Sequence, residues 1–423
     1  MEGEEGAIRV GRPWLPYLLL PVLALVLVGL HVHAYRPLSA IDEFQHTDAL
    51  YRATQFQVVR AGDLARDFTL NLAACRGVEL NPIPPCHSSY RHADFPTGGF
   101  DTADIHSPVY YLITAAASAP LRFAGMDLVD AGRLAGAGWL AVGLILIWKL
   151  AAELGARPAA RWAVCVLTAC SVNVLEASAT INTDATALAG GGIAALAAIR
   201  IEQRRWPIWT APLAGAAAAI LKVHNLLGAV AGTAFLVLRR RWLASAALLA
   251  GAVLAEASWL AIRHLLSSAS LQNVPIIHGE YVDRLTASNV FLALTSMVTP
   301  LAVPYTPRFL QHQAVVLITS VQDLLLIAAT LGGSMYLERG TRAHSMAVAV
   351  TGAMLFGGPF LVVSTFLVRH SYVPAFPRYG LSLVPVAMAV LAVGARTRPL
   401  LVVVGSIAAG SLAVVVWYLV RAA

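Results

Sequence analysis

The residues best suited to chemistry fall just past the first apolar segment, in Ser39-Ala-Ile-Asp-Glu-Phe-Gln-His-Thr-Asp48. Asp42 and Glu43 are adjacent carboxylates. His46 follows Asp42 by four residues, so on a helix the two share a face. A positioned carboxylate can take a proton from a hydroxyl group, and Asp42 is the candidate base. Its plainer reading is a solvated loop carboxylate or a helix N-cap. Glu43 either orients a bound molecule or is simply exposed. His46 can tune Asp42, or Asp42, Glu43 and His46 together can hold a divalent cation. The sequence requires no cofactor beyond that optional ion.

Other polar residues sit at the edges of apolar runs. His106 opens His106-Ser-Pro-Val-Tyr-Tyr111 beside Pro108, a favourable helix-start residue. It is either part of a binding surface or a cap-region histidine at headgroup level. Asp184 begins an apolar run, where a carboxylate suits the helix dipole or helps bind a substrate. Lys222 and His224 lie in Lys222-Val-His-Asn225, between two apolar arms. A charge there is costly unless paired or wet, which favours an anion contact over snorkelling. Arg378 can grip a phosphate with two parallel N–H bonds, or can anchor at an interface together with Tyr379.

The elements that would position these residues are membrane helices. Of 423 residues, 58% are hydrophobic and 13% charged, against roughly 45–50% and about 25% in soluble domains. The mean hydropathy is +0.69. The net charge of +7 is no nucleic-acid signal: Lys149 and Lys222 are the only lysines, and the arginines gather at segment ends. The fold expected is all-α, a single polytopic membrane domain over residues 1–423 with about eleven transmembrane helices. Spans are expected near 14–34, 131–152, 162–180, 185–200, 242–262, 312–337, 346–368, 379–395 and 400–420, plus the hairpin arms 208–221 and 226–238. Residues 107–124 and 287–303 are read as interfacial or re-entrant, because counting the latter as a span would put later arginines outside. Two extracytoplasmic loops follow, about 35–130 and about 263–311. The N-terminus is expected inside, the first helix to be retained, and the C-terminus outside. Cys75 and Cys86, in the first loop, either pair or stay free thiols; Cys165 and Cys170 simply pack.

These marks resemble the membrane-embedded GT-C glycosyltransferases, among them protein O-mannosyltransferases, aminoarabinose transferases and arabinosyltransferases. Asp42-Glu-x-x-His46 looks like their Asp-Glu signature, and His106 to Tyr111 like their His-Pro-Pro-Leu-Tyr-Tyr juxtamembrane helix. Asn182-Thr-Asp184 resembles the second acidic motif. Gly215 to Lys222 resembles the Gly-rich arm ending in Lys, and Arg378-Tyr379 before Pro385 the late Arg-Tyr element. Ser107 departs from the first proline, and Asp184 lacks a close acidic neighbour. The resemblance implies an inverting glycosyltransferase with a GT-C fold and Asp42 as general base. The donor would be a polyprenyl-phosphate sugar, and the acceptor an envelope glycan, glycolipid or protein. The site would face outward from the cytoplasmic membrane. Glu43, His46, His106, Asp184, Lys222, His224, Arg378 and Tyr379 would contact substrate.

The rival class is a transporter or flippase for a lipid-linked saccharide, which would use the same basic and aromatic groups to guide a headgroup. A Walker loop, a zinc spacing and a Gly-x-Ser-x-Gly elbow are all lacking.

Overall fold

Apolar runs punctuated by proline, glycine and capping residues become helices throughout. The computed structural model describes residues 12–267, 284–303, 307–370 and 372–422. Arg9 and the middle of the 263–311 loop lie outside the described residues. The chain runs α1 (Leu15–Ala34), α2 (Glu43–Ala53), α3 (Asp67–Arg76), α4 (Val109–Phe123), α5 (Leu128–Glu153), α6 (Pro158–Ala169) and α7 (Val172–Ala179). It continues through α8 (Ala187–Glu202), α9 (Thr210–Leu221), α10 (Leu226–Leu238), α11 (Trp242–Leu266) and α12 (Ala287–Val298). The last elements are α13 (Pro307–Leu310), α14 (Gln313–Tyr336), α15 (Arg342–Arg369), α16 (Val384–Gly394) and α17 (Arg398–Ala422). Local chemistry sets many boundaries. The Asp127 carboxylate accepts from Val129 N and Asp130 N to cap α5, the Thr341 hydroxyl caps α15, and Pro158 opens α6.

Among the described residues eight helices are long and apolar enough to cross a membrane, so the chain is a multi-pass membrane protein. The expected run 162–180 is broken instead into α6 and α7, which meet at 63°. The Thr168 hydroxyl takes the Val164 carbonyl at 2.8 Å, and Ser171 N turns back to Thr168 O, which tightens and ends α6. Counted as one bent span, the pair makes nine. The hairpin arms α9 and α10 have 12 and 13 residues. At 1.5 Å per residue that is about 18–20 Å, short of the ~30 Å hydrocarbon layer. α4 and α12 are also too short to count as spans.

The described spans share two ends. At one end Glu153 pairs with Arg200 and Arg205, and Glu202 with Arg239 and Arg342. At the other, Asp184 pairs with Lys222 and Asp104 with Arg263. α8 runs from the second end to the first, so α9 rises beside it to Lys222 and α10 returns to Arg239. α8 and α16 are the most enclosed spans, while α1, α11 and α17 form the outer ring. Close packing at the centre depends on small residues. A Cβ on Gly191 of α8 would collide with the Ser382 carbonyl in the turn before α16.

Residues 35–127 form a cap over the second end, with a small core of its own around Phe44, Leu50, Phe95 and Tyr110. Cys75 and Cys86 are joined there by a disulfide.

Candidate functional site

The cap and the bundle meet at a cluster of charge assembled from four distant stretches. Asp42 comes first. It occupies the N-cap of α2 with φ 57°, a left-handed conformation that Asp tolerates better than most residues. Its carboxylate does not cap the helix. It turns outward and accepts from Arg378 Nη2 at 2.9 Å, across 336 residues of sequence. The Asp42 side chain is 51% exposed although protein surrounds it closely, the geometry of a crevice floor open on one side. That partial burial pushes its pKa up, but the Arg378 guanidinium, helped by Lys222, outweighs it and holds the carboxyl below its ordinary value.

Arg378 lies in the 3₁₀ turn Pro377–Leu383 that leads into α16. Its Nε stands 3.8 Å from Asp184 Oδ2. Both Nε and Nη1 are buried and lack a hydrogen-bond partner among the described residues. Asp184, held by Asn182 in the 3₁₀ turn before α8, makes a buried ion pair with Lys222. Lys222 is the residue where α9 stops; its backbone is extended, which aims the ammonium across at α8. Two residues on, His224 stacks flat on Tyr379 with ring centroids 3.7 Å apart. The Lys222 ammonium lies 5.7 Å from the Tyr379 ring centre. Asp42, Asp184, Lys222, His224, Arg378 and Tyr379 thus form one connected group of charges and rings.

His46 and His106 sit behind Asp42 rather than beside Arg378. Their rings are 5.4 Å apart, and His46 Nδ1 and the Tyr111 hydroxyl are hydrogen-bonded at 2.6 Å. Burial, reinforced by Lys222 and only partly offset by Asp42, pushes the His46 pKa down to about 4, so the ring is neutral at pH 7. Burial lowers the His106 pKa well below its ordinary value too, with His46 adding to the effect.

Glu43 is placed differently from the sequence expectation. It is fully buried and faces Arg133, which donates from Nε at 2.8 Å and Nη2 at 2.6 Å. Ser39 N and Ile181 N donate to the same carboxylate. With both oxygens occupied, Glu43 joins the end of α1, α2, α5 and the approach to α8 instead of reaching a ligand. The cation set Asp42, Glu43 and His46 is not gathered either. One member is committed to Arg133, another to Tyr111 and the third to Arg378. Among the described residues the one metal-like grouping is Cys75, Cys86 and His87, and its two sulfurs form the disulfide.

Sequence reading overlooked Arg133, which is wholly buried near the start of α5. The available signal was a lone arginine in the first turns of an apolar run, where an unpaired charge is prohibitive. Such a residue demands a carboxylate partner, and Glu43 was within reach of the same membrane face.

The fold and the cluster define a multi-pass membrane protein with a half-open carboxylate, a partly unsatisfied arginine and an aromatic wall at one end of its helices. No family model, no curated protein and no solved structure matches this chain.

Proposed function

We propose that the chain is an inverting GT-C-type glycosyltransferase. It moves a sugar from a polyprenyl-phosphate donor to an envelope glycan, glycolipid or protein on the extracytoplasmic face of the cytoplasmic membrane. One observation carries the reading: the sole half-exposed carboxylate of the cluster, Asp42, contacts an arginine whose buried Nε and Nη1 have no hydrogen-bond partner among the described residues. A base and an anion grip therefore stand side by side.

Chemically, the acceptor oxygen attacks the anomeric carbon from the face opposite the phosphate. The new C–O bond forms as the bond to the phosphate oxygen breaks, which inverts the centre. The hydroxyl proton passes to Asp42. The leaving polyprenyl phosphate keeps the electron pair, and its charge is met by Arg378 and Lys222. Arg378 in this scheme serves two anions in turn, holding Asp42 ionised before the donor arrives and the phosphate afterwards. His224 and Tyr379 wall the sugar subsite. His46 and His106, both neutral, keep the back of Asp42 free of competing cations.

Charge supports this orientation. The end opposite the site carries Arg200, Arg204, Arg205, Arg239, Arg240, Arg241 and Arg342, the bias that keeps an end in the cytoplasm. A disulfide in the cap suits an oxidising compartment. Counting α9 and α10 as passes through a thinned section gives eleven crossings.

The test is complementation of a deletion strain with wild type or Asp42→Asn at matched membrane levels, read by mass spectrometry of envelope glycans. The expected result is a glycan short of one sugar that wild type restores and Asp42→Asn does not, its rate being down about 10²–10⁴-fold. Full restoration by Asp42→Asn would remove Asp42 as the base and bring forward a transporter of a lipid-linked saccharide, which needs no proton acceptor there.

A further inference from the structure

A second concave site lies on the cap, at the far end of α2 from Asp42. It is a cleft of about 530 Å³, within the size range of small-molecule sites. Its walls carry Arg52, Arg60, Arg66 and the carboxylate of Asp63, with Phe56 and Leu266 beside them. The three arginines are not equivalent. Arg52 is spent internally, since it donates to Asp48 at 2.7 Å, Asp63 at 3.0 Å and the Leu64 carbonyl at 2.8 Å. The Arg60 guanidinium has no hydrogen-bond or ion-pair partner among the described residues, and Arg66 has only the Gln57 amide oxygen at 3.1 Å. Asp63, the one carboxylate of that wall, is taken up by Arg52 Nη1 and by Arg60 N, each at 3.0 Å, so among the described residues the Arg60 and Arg66 guanidinium groups face the cleft without a carboxylate partner.

Phe56 adds an unusual feature. It follows the end of α2 with φ 56°, and its side chain is 90% exposed. A left-handed backbone on a bulky residue is unfavourable, and so is a bare phenyl ring in water. The left-handed backbone closes α2, with Phe56 N donating to Ala53 O and Gln57 N to Arg52 O, but that role does not require an exposed ring. A flat ring beside two guanidinium groups that hold no carboxylate matches a sugar ring that carries an acid, with its C–H face on the phenyl and its carboxylate between the arginines.

A separate cavity of about 10 Å³, no larger than a water site, lies beneath α2 between Ala53, Gln57 and Val58 and the rings of His106 and Tyr111. The ten residues from Asp42 to Arg52 span about 15 Å of helix. We infer that this cleft binds an acidic saccharide chain, one bearing carboxylates. Calling that chain the acceptor rests on the glycosyltransferase reading; its binding does not.

Binding is measured without turnover, on full-length protein in phosphatidylcholine nanodiscs, by calorimetry with a galacturonic acid hexamer and with the neutral galactose hexamer. Wild type and Asp42→Asn are expected to bind the acidic hexamer alike, and the neutral one at least about tenfold more weakly. The pair Arg60→Gln/Arg66→Gln should lose about tenfold or more for the acidic hexamer. Phe56→Gly removes the ring while suiting the left-handed backbone, so it should melt no lower than wild type and still bind several-fold more weakly. That variant guards against loss of binding through misfolding. Equal binding of the two hexamers, or undiminished acidic binding in both the double variant and Phe56→Gly, would overturn the inference. So would loss of binding when phosphatidylglycerol replaces part of the phosphatidylcholine, which would make the cleft a lipid-headgroup site. A failure of Asp42→Asn to affect glycan transfer bears on the catalytic reading alone.

Discussion

Asp42 and Arg378 control each other's chemistry. Burial alone would raise the Asp42 carboxyl, and the guanidinium holds it down, so the base stays ionised to lower pH than its surroundings would allow. Arg378→Gln should therefore move the acid limb of the pH–rate profile upward, beyond any general loss of rate. An unmoved limb would show that Arg378 does not set the ionisation of the base. His46 carries the opposite kind of linkage. Its folded pKa of about 4 lies below the ordinary 6.5, so it contributes stability above pH 6.5 that drains away as pH falls through 6.5 toward 4. Thermal unfolding of His46→Gln should vary less than wild type between pH 7 and about pH 5. Parallel curves would mean that His46 takes up its proton in the fold as readily as out of it.

At the scale of elements, two contacts decide whether the cluster exists. The Glu43–Arg133 pair ties the cap to α5, and both side chains are fully buried. Arg133→Met alone leaves a buried carboxylate without its partner, a loss of about 3–5 kcal/mol. Glu43→Leu together with Arg133→Met should recover much of it, since a hydrophobic pair avoids the desolvation cost. Unfolding midpoints of the single and double variants measure this directly. The second contact is Gly191 against the Ser382 carbonyl. Gly191→Ala must push α8 away from the turn that carries Arg378, moving it relative to Asp184. Transfer activity should fall by more than the loss of folded protein explains, and a proportional loss would count against this positioning role.

For the whole molecule, the asymmetry of charge makes a prediction about sidedness. Cys165 and Cys170 are buried and Cys75 and Cys86 are bonded, so an introduced thiol is the one to react. Gln55→Cys on the cap should label with an impermeant maleimide in intact cells, and Arg240→Cys only after the membrane is opened. The reverse pattern would place the site in the cytoplasm and deprive it of an extracytoplasmic acceptor. The cap also explains why a protein with arms as short as α9 and α10 can hold a charged cluster: residues 35–127 close over that end, so the ion pairs face protein and a crevice instead of hydrocarbon.

Composition and the spacing of apolar runs were sufficient for the helical membrane class and for most helix positions. Those properties are local: a run of about twenty apolar residues has few alternatives in a bilayer, because its backbone must bond within itself. The polar residues at the edges of the runs were equally legible, since each is costly where it stands and calls for a reason. Their partners were not. Nothing in the sequence ties Lys222 to Asp184, Asp42 to Arg378 across 336 residues, or Glu43 to Arg133 instead of to the crevice. The break between α6 and α7 was hidden for a related reason, as a hydroxyl competing for one carbonyl leaves hydropathy unchanged. Pairing depends on which helix ends the packing of α8 and α16 brings together, and that is settled by close contacts such as Gly191 on Ser382. Sequence alone fixed which residues must find partners, and only the tertiary structure decided which partners they find.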